Sequence, residues 1–114
     1  MKSLLLKWLS AAVSIFITAK FLGFIHVSSF GVTLIAALVL GIINTIIKPI
    51  LILFTLPINI LTLGLFTFVI NGIVLYITSG LVPGFQISGL FGAIVGAVVI
   101  SVINLIINST IDLD

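Results

Sequence analysis

Four continuous apolar runs divide this 114-residue chain: Leu4 to Leu22, Phe30 to Ile47, Ile60 to Ser79 and Leu90 to Ile107, each 18 to 20 residues long. At 1.5 Å per residue a helix of that length covers roughly 30 Å, the thickness of a bilayer's hydrocarbon core. A helix on the surface of a soluble domain needs a polar face, and none of these runs has a charged or strongly polar one. The runs are also continuous, whereas strands of a membrane barrel are about 10 residues long and alternate apolar with polar. A helix pairs its own backbone groups, which hydrocarbon requires. The sequence therefore predicts an all-α integral membrane protein with four transmembrane helices in one domain, 1–114.

Composition removes the other classes. Hydrophobic residues make up 62% of the chain and charged residues 5%, with a mean hydropathy of +1.64. A soluble domain carries about 25% charged residues, and disorder needs low hydrophobicity with high charge. The lipid bilayer is thus the expected partner. The pI near 9.4 reflects a shortage of acids, because Lys2, Lys7, Lys20 and Lys48 are dispersed and the only acids are Asp112 and Asp114. Scattered lysines form no basic patch, so nucleic acid is not an expected partner. Without cysteine there is no disulfide framework, thiol nucleophile or Cys-based metal site.

Turn and helix-breaking residues fall between the runs: Gly23 and Ser28-Ser29, then Pro49 and Pro57, then Pro83-Gly84 and Gly89. Lys48-Pro49 reads as a helix stop, since proline cannot continue the ladder, and Pro83-Gly84 as a turn. The stretch 49–57, PILILFTLP, is apolar but too short to cross. It reads as an interfacial or re-entrant segment, or as an extension of the third helix through a kink at Pro57. Extension or interfacial placement is preferred.

An offset of 60 residues aligns 1–54 with 61–114 without a gap. Ser28 falls on Ser88, Ala37 on Ala97, Ile43-Asn44 on Ile103-Asn104 and Ile17-Thr18 on Ile77-Thr78, among eleven identities over 54 positions. Each half carries two runs, so both halves share one orientation, as two parallel-repeat helical hairpins about an axis along the membrane normal. The alignment also bears on 1–19, which otherwise resembles a signal peptide. Its partner is the third run, and Ile17-Thr18-Ala19 is a poor cleavage site, so it is read as the first helix. With four spans, Lys2, Lys7 and Lys48 share one face, while Lys20 and His26 lie on the other. That bias places both termini in the cytoplasm.

The residues that stand out have both structural and functional readings. Thr33, Ala37, Gly41 and Thr45 recur every four residues in the second run. Ala93, Ala97 and Ser101 repeat the pattern in the fourth, beside Gly92-x-x-x-Gly96. Such ridges let helices approach closely, within one chain or between copies of a homo-oligomer. Asn44, Asn71 and Asn104 lie inside runs, where an amide seeks an interhelical partner or lines a wet or headgroup site. Trp8 and Tyr76 suit the interfacial belt, and Lys7 and Lys20 can snorkel to opposite interfaces. His26 stands without a nearby carboxylate or second histidine, so neither metal nor cofactor is expected. No motif for a catalytic nucleophile, phosphate loop or acid–base pair occurs, and catalysis is not expected.

Three motifs are more specific: N-x-x-I-K-P-I-L at Asn44 to Leu51, L-P-I-N-x-L-T-L-G-L-F at Leu56 to Phe66, and L-V-P-G-F at Leu81 to Phe85. Together they resemble the four-span phage holin superfamily IV family, which includes YvlD-like bacterial membrane proteins. The resemblance covers nearly the whole chain and marks Asn44, Lys48, Pro49, Pro57, Asn59, Gly64, Asn71, Pro83 and Gly84 as motif residues. It implies a bacterial inner-membrane protein whose copies assemble into lesions through which a lytic enzyme reaches the wall. Two other readings stand beside it. One is a non-lytic envelope scaffold or lipid- and stress-related protein with a membrane-protein partner. The other is a small facilitator with a midplane site around Asn71.

Overall fold

The computed structural model describes residues 2–111, and Asp112 and Asp114 lie outside the described residues. Apolar sequence with few breakers gives helix wherever the runs occur: α1 (Lys2–Phe21), α2 (Phe30–Phe54), α3 (Leu56–Leu61), α4 (Phe66–Leu81) and α5 (Gly89–Ile111). Ser29 starts α2 as its N-cap, its hydroxyl accepting the Val32 N–H at 3.3 Å. Helices α1, α2 and α5 are long and apolar enough to cross a membrane, and α4 is a shorter apolar helix. Each of these four packs on two neighbours, in the ring α1–α2–α4–α5.

The bundle is helical as expected, and two of its connections add short strands that the sequence reading did not include. Between α1 and α2 runs β1 (Ile25–Val27), and between α4 and α5 runs β2 (Phe85–Ile87). They pair antiparallel with His26 opposite Gln86. Ser28 donates its N–H to Gly84 O at 3.0 Å, and Ser88 donates to Phe24 O at 2.8 Å. Glycine and proline mark these linkers locally, but three-residue strands are too short for periodicity to declare them. Gly84, at φ +90°, turns the chain into β2 and lies against Ser28 and Val32, so a side chain at 84 would be both strained and obstructed.

Two helix ends also differ from the sequence reading. Helix α2 runs through Lys48-Pro49 to Phe54, so 49–54 extends the second helix and neither the third helix nor a separate interfacial segment. Proline removes one helical hydrogen bond. In an apolar stretch, leaving the helix would forfeit several more, so the helix continues. Thr55 ends it, its N–H and hydroxyl both reaching Leu51 O. Pro57 then sits in the first turn of α3, where its missing N–H is not needed. The third run, expected from Ile60, becomes α4 only at Phe66. Leu63 at φ +57° and Gly64 at φ +87° break the chain before it.

The core is built largely from small residues. Ala12, Ala36, Ala37 and Ala97 cluster with Ile15, Ile25, Leu75, Val82, Phe85 and Ile100, while Ile43, Ile70 and Val74 form a second cluster between α2 and α4. Lipid offers no hydrophobic drive between helices, so close backbone approach supplies the packing. Positions 60 apart are buried together: Ala12 with Gly72, Ile15 with Leu75, Thr18 with Thr78, Ile25 with Phe85, Thr33 with Ala93 and Ala37 with Ala97.

Candidate functional site

The polar side chains within the helices fall into paired and unpaired sets. Asn104 and Asn108 project from α5 toward α1, where Ser10 is buried. Ser10 Oγ lies 2.9 Å from each of Asn104 Oδ1 and Asn108 Oδ1, and Ser14 Oγ donates to Asn104 Oδ1 at 3.3 Å. Ser14 also reaches Ser10 O at 2.8 Å, and Thr18 reaches Ser14 O at 2.7 Å. These bonds join the first helix to the last.

Asn44 occupies the matching place on α2 but is exposed and makes no side-chain hydrogen bond among the described residues. Helix α2 packs on α4, where the positions corresponding to Ser10 and Ser14 are Ile70 and Val74. Neither offers a hydroxyl. Asn71 is half-buried on α4, also without a side-chain hydrogen bond among the described residues. Asn59 is buried at the end of α3 and accepts from Thr67 Oγ1 at 3.3 Å.

The small-residue ridges divide along their length. Near the strand pair, Thr33, Ala37, Ala93 and Ala97 are buried within the chain. Gly92 lies against the Phe24 ring and Gly96 against Ile25. Farther along, Gly41, Thr45 and Ser101 are exposed. Gly41 and Thr45 line a groove of about 700 Å³ between α1 and α2, with Lys7 and Trp8 on its other wall. Trp8 donates its indole N–H to Leu34 O at 2.8 Å, so its polar edge is used on α2.

At the strand end, Lys20 Nζ stands 4.8 Å from the Phe16 ring centroid, and Phe16 meets Phe30 edge-on at 5.4 Å. His26 and Lys20 line a cavity of about 320 Å³ there with Ser28 and Ser29. Lys48 is half-buried, while Pro49, Pro57 and Pro83 are exposed. The motif residues therefore do not converge on one point. They mark helix continuations, corners and three separate amide positions, Asn44 on α2, Asn59 on α3 and Asn71 on α4.

Sequence reasoning missed Ser10, Ser14 and Gly72. The four-residue spacing of Ser10, Ser14 and Thr18 in an otherwise apolar run was the available signal. Gly72 brings α4 against the main chain of Ile94 in α5.

The arrangement is that of a polytopic membrane bundle whose polar side chains join helices, and no group of three or more His, Cys, Asp or Glu comes together among the described residues. The chain belongs to the phage holin superfamily IV: the family described as "Mycobacterial 4 TMS phage holin, superfamily IV" matches residues 2–106. It is 46% identical over 115 residues to the "Uncharacterized membrane protein YvlD" of Bacillus subtilis (strain 168), an alignment covering 94% of each chain. It is 36% identical over 80 residues to the "Uncharacterized protein SCO3922" of Streptomyces coelicolor, covering 67% of this chain and 64% of that one. No solved structure matches.

Proposed function

We propose that this chain is a non-catalytic, holin-like protein of the bacterial inner membrane whose copies associate and open passages between them. The observation that carries this reading is Asn44. Its amide is exposed on α2 beside Gly41 and Thr45, with no partner in its own chain among the described residues. An amide in or near hydrocarbon seeks a partner, and a second copy supplies one. The matching burial of positions 60 apart and the β1–β2 register support two parallel repeats about an axis along the membrane normal. The lysine bias supports cytoplasmic termini.

The test is controlled induction of the chain in bacteria, with membrane potential and dye leakage followed together. The expected result is abrupt depolarisation, and lysis only when a wall hydrolase is co-expressed. Asn44→Leu should delay or remove both without loss of membrane insertion. Sustained potential in cells that hold inserted protein would reject the reading.

A second reading is a non-lytic envelope scaffold with a membrane-protein partner. The absence of any buried, unpartnered side-chain nitrogen or oxygen among the described residues supports it, because such a bundle is a finished packing unit. Co-purification of one partner in mild detergent would favour it.

A further inference from the structure

The corner between α3 and α4 is uncharged and strongly apolar at its surface. Leu61, Leu63 and Leu65 are 83%, 93% and 63% exposed. No charged residue occurs between Lys48 and Asp112. In water this would be an unusual corner, since connections are normally polar. In hydrocarbon it would normally be forbidden, because irregular backbone leaves donors unmet.

Here the donors are met. Thr62 N–H bonds Ile58 O at 3.0 Å, Leu63 bonds Ile60 O at 3.2 Å, and Gly64 bonds Asn59 O at 2.7 Å. Leu65 bonds Thr62 O at 3.1 Å, and Phe66 bonds the Thr62 hydroxyl at 3.2 Å. Thr67 bonds Gly64 O at 3.0 Å and Phe68 bonds Leu65 O at 3.1 Å. Every N–H from 62 to 68 therefore has an acceptor, and the Thr67 hydroxyl is tied to Asn59.

Helix length gives an independent reason for immersion. Helix α4 has 16 residues, about 24 Å at 1.5 Å per residue, against a hydrocarbon core of roughly 30 Å. With its Leu81 end held at the strand pair, its Phe66 end stops short of the far boundary. The corner that feeds it then begins inside the hydrocarbon.

We infer that the α3–α4 corner is a lipid-facing elbow, immersed among the acyl chains of the leaflet opposite the strand pair and not exposed to water. Its occupant is the acyl chain. The leucines provide the surface, and the pairing of every N–H from 62 to 68 lowers the cost of immersing the irregular backbone.

The chain has a single tryptophan, so Trp8→Phe provides a silent background for fluorescence. Leu63→Trp in that background is reconstituted into vesicles of phosphatidylcholine and phosphatidylglycerol with brominated acyl chains. Leu105→Trp, on the exposed surface of α5, and Gln86→Trp, on β2, serve as references. Quenching at 63 should match that at 105 and exceed that at 86. Quenching at 105 also reports that the variants insert. An unquenched, red-shifted tryptophan at 63 would place the corner in water, and an unquenched, blue-shifted one would place a second protein copy against it. Either outcome overturns the assignment.

Discussion

Gly72 of α4 lies against the main chain of Ile94 in α5: a Cβ on residue 72 would come within 2.7 Å of the Ile94 Cα and 2.9 Å of its nitrogen. Real Cβ atoms do not approach backbone so closely, so the helices must separate to admit even alanine. Gly72→Ala should destabilise the fold by about 1–3 kcal/mol, the usual cost of overpacking. Gly80→Ala, on the same helix with nothing within 4 Å of its Cβ, should be neutral or gain about 0.5–1 kcal/mol from helix propensity. Denaturant titration in mixed micelles distinguishes the two, and equal effects would contradict the packing.

Asn104 and Asn44 are 60 residues apart and differently placed, so the same substitution should act differently at each. Asn104→Leu removes the acceptor shared by Ser10 and Ser14. It should lower the stability of the single chain by about 0.6–2 kcal/mol. Asn44→Leu should leave that stability unchanged and weaken association between copies. Unfolding curves together with cross-linking in membranes check both halves of this statement.

Leu63 closes α3 in a left-handed conformation, φ +57°. Its N–H bonds Ile60 O and the following Gly64 N–H bonds Asn59 O, the paired bonds of a Schellman motif. Glycine normally fills that first position, because a left-handed backbone costs other residues about 1–2 kcal/mol. Leu63→Gly should therefore raise stability by up to about 1 kcal/mol, offset in part by its greater unfolded entropy. Gly64→Ala, at φ +87°, should lower it. Thermal melts followed by circular dichroism would decide, and a loss in both variants would contradict the assignment.

Trp8 joins α1 to α2 through its indole N–H on Leu34 O. Trp8→Phe keeps most of the ring and deletes the donor, so the cost should be about 1 kcal/mol, that of one neutral hydrogen bond. In the unaltered chain, its fluorescence should shift to the red when α1 parts from α2, before helicity is lost. Simultaneous change of the two signals would show that this contact does not open separately.

Much of this fold was legible because hydrocarbon imposes a length. A helix that crosses needs about 20 apolar residues, and the first, second and fourth runs fold to helices of 20, 25 and 23 residues, whereas the third gives one of 16. Their ends were less legible, since the rules that stop helices in water weaken in lipid. Pro49 reads as a stop but α2 passes through it, whereas the break before α4 depends on left-handed backbone at Leu63 as well as Gly64. The strand pair left no pattern, because three residues carry no usable period. Asn104 stood out as an amide needing a partner. That the partner is Ser10, 94 residues away, depends on the first and last helices being neighbours in the ring, which no local pattern encodes.

At the strand end the two halves are joined through their backbones. Ser28 to Gly84, Ser88 to Phe24 and the register of His26 on Gln86 are held by main-chain atoms. A seam of that kind is indifferent to most substitutions along it, excepting proline and crowding at Gly84. His26 and Gln86 can hence face each other as unlike residues, and Lys20 can correspond to Gly80, without disturbing the alignment of the helices behind them. The two halves are free to drift apart in chemistry while the backbone keeps their geometry in step.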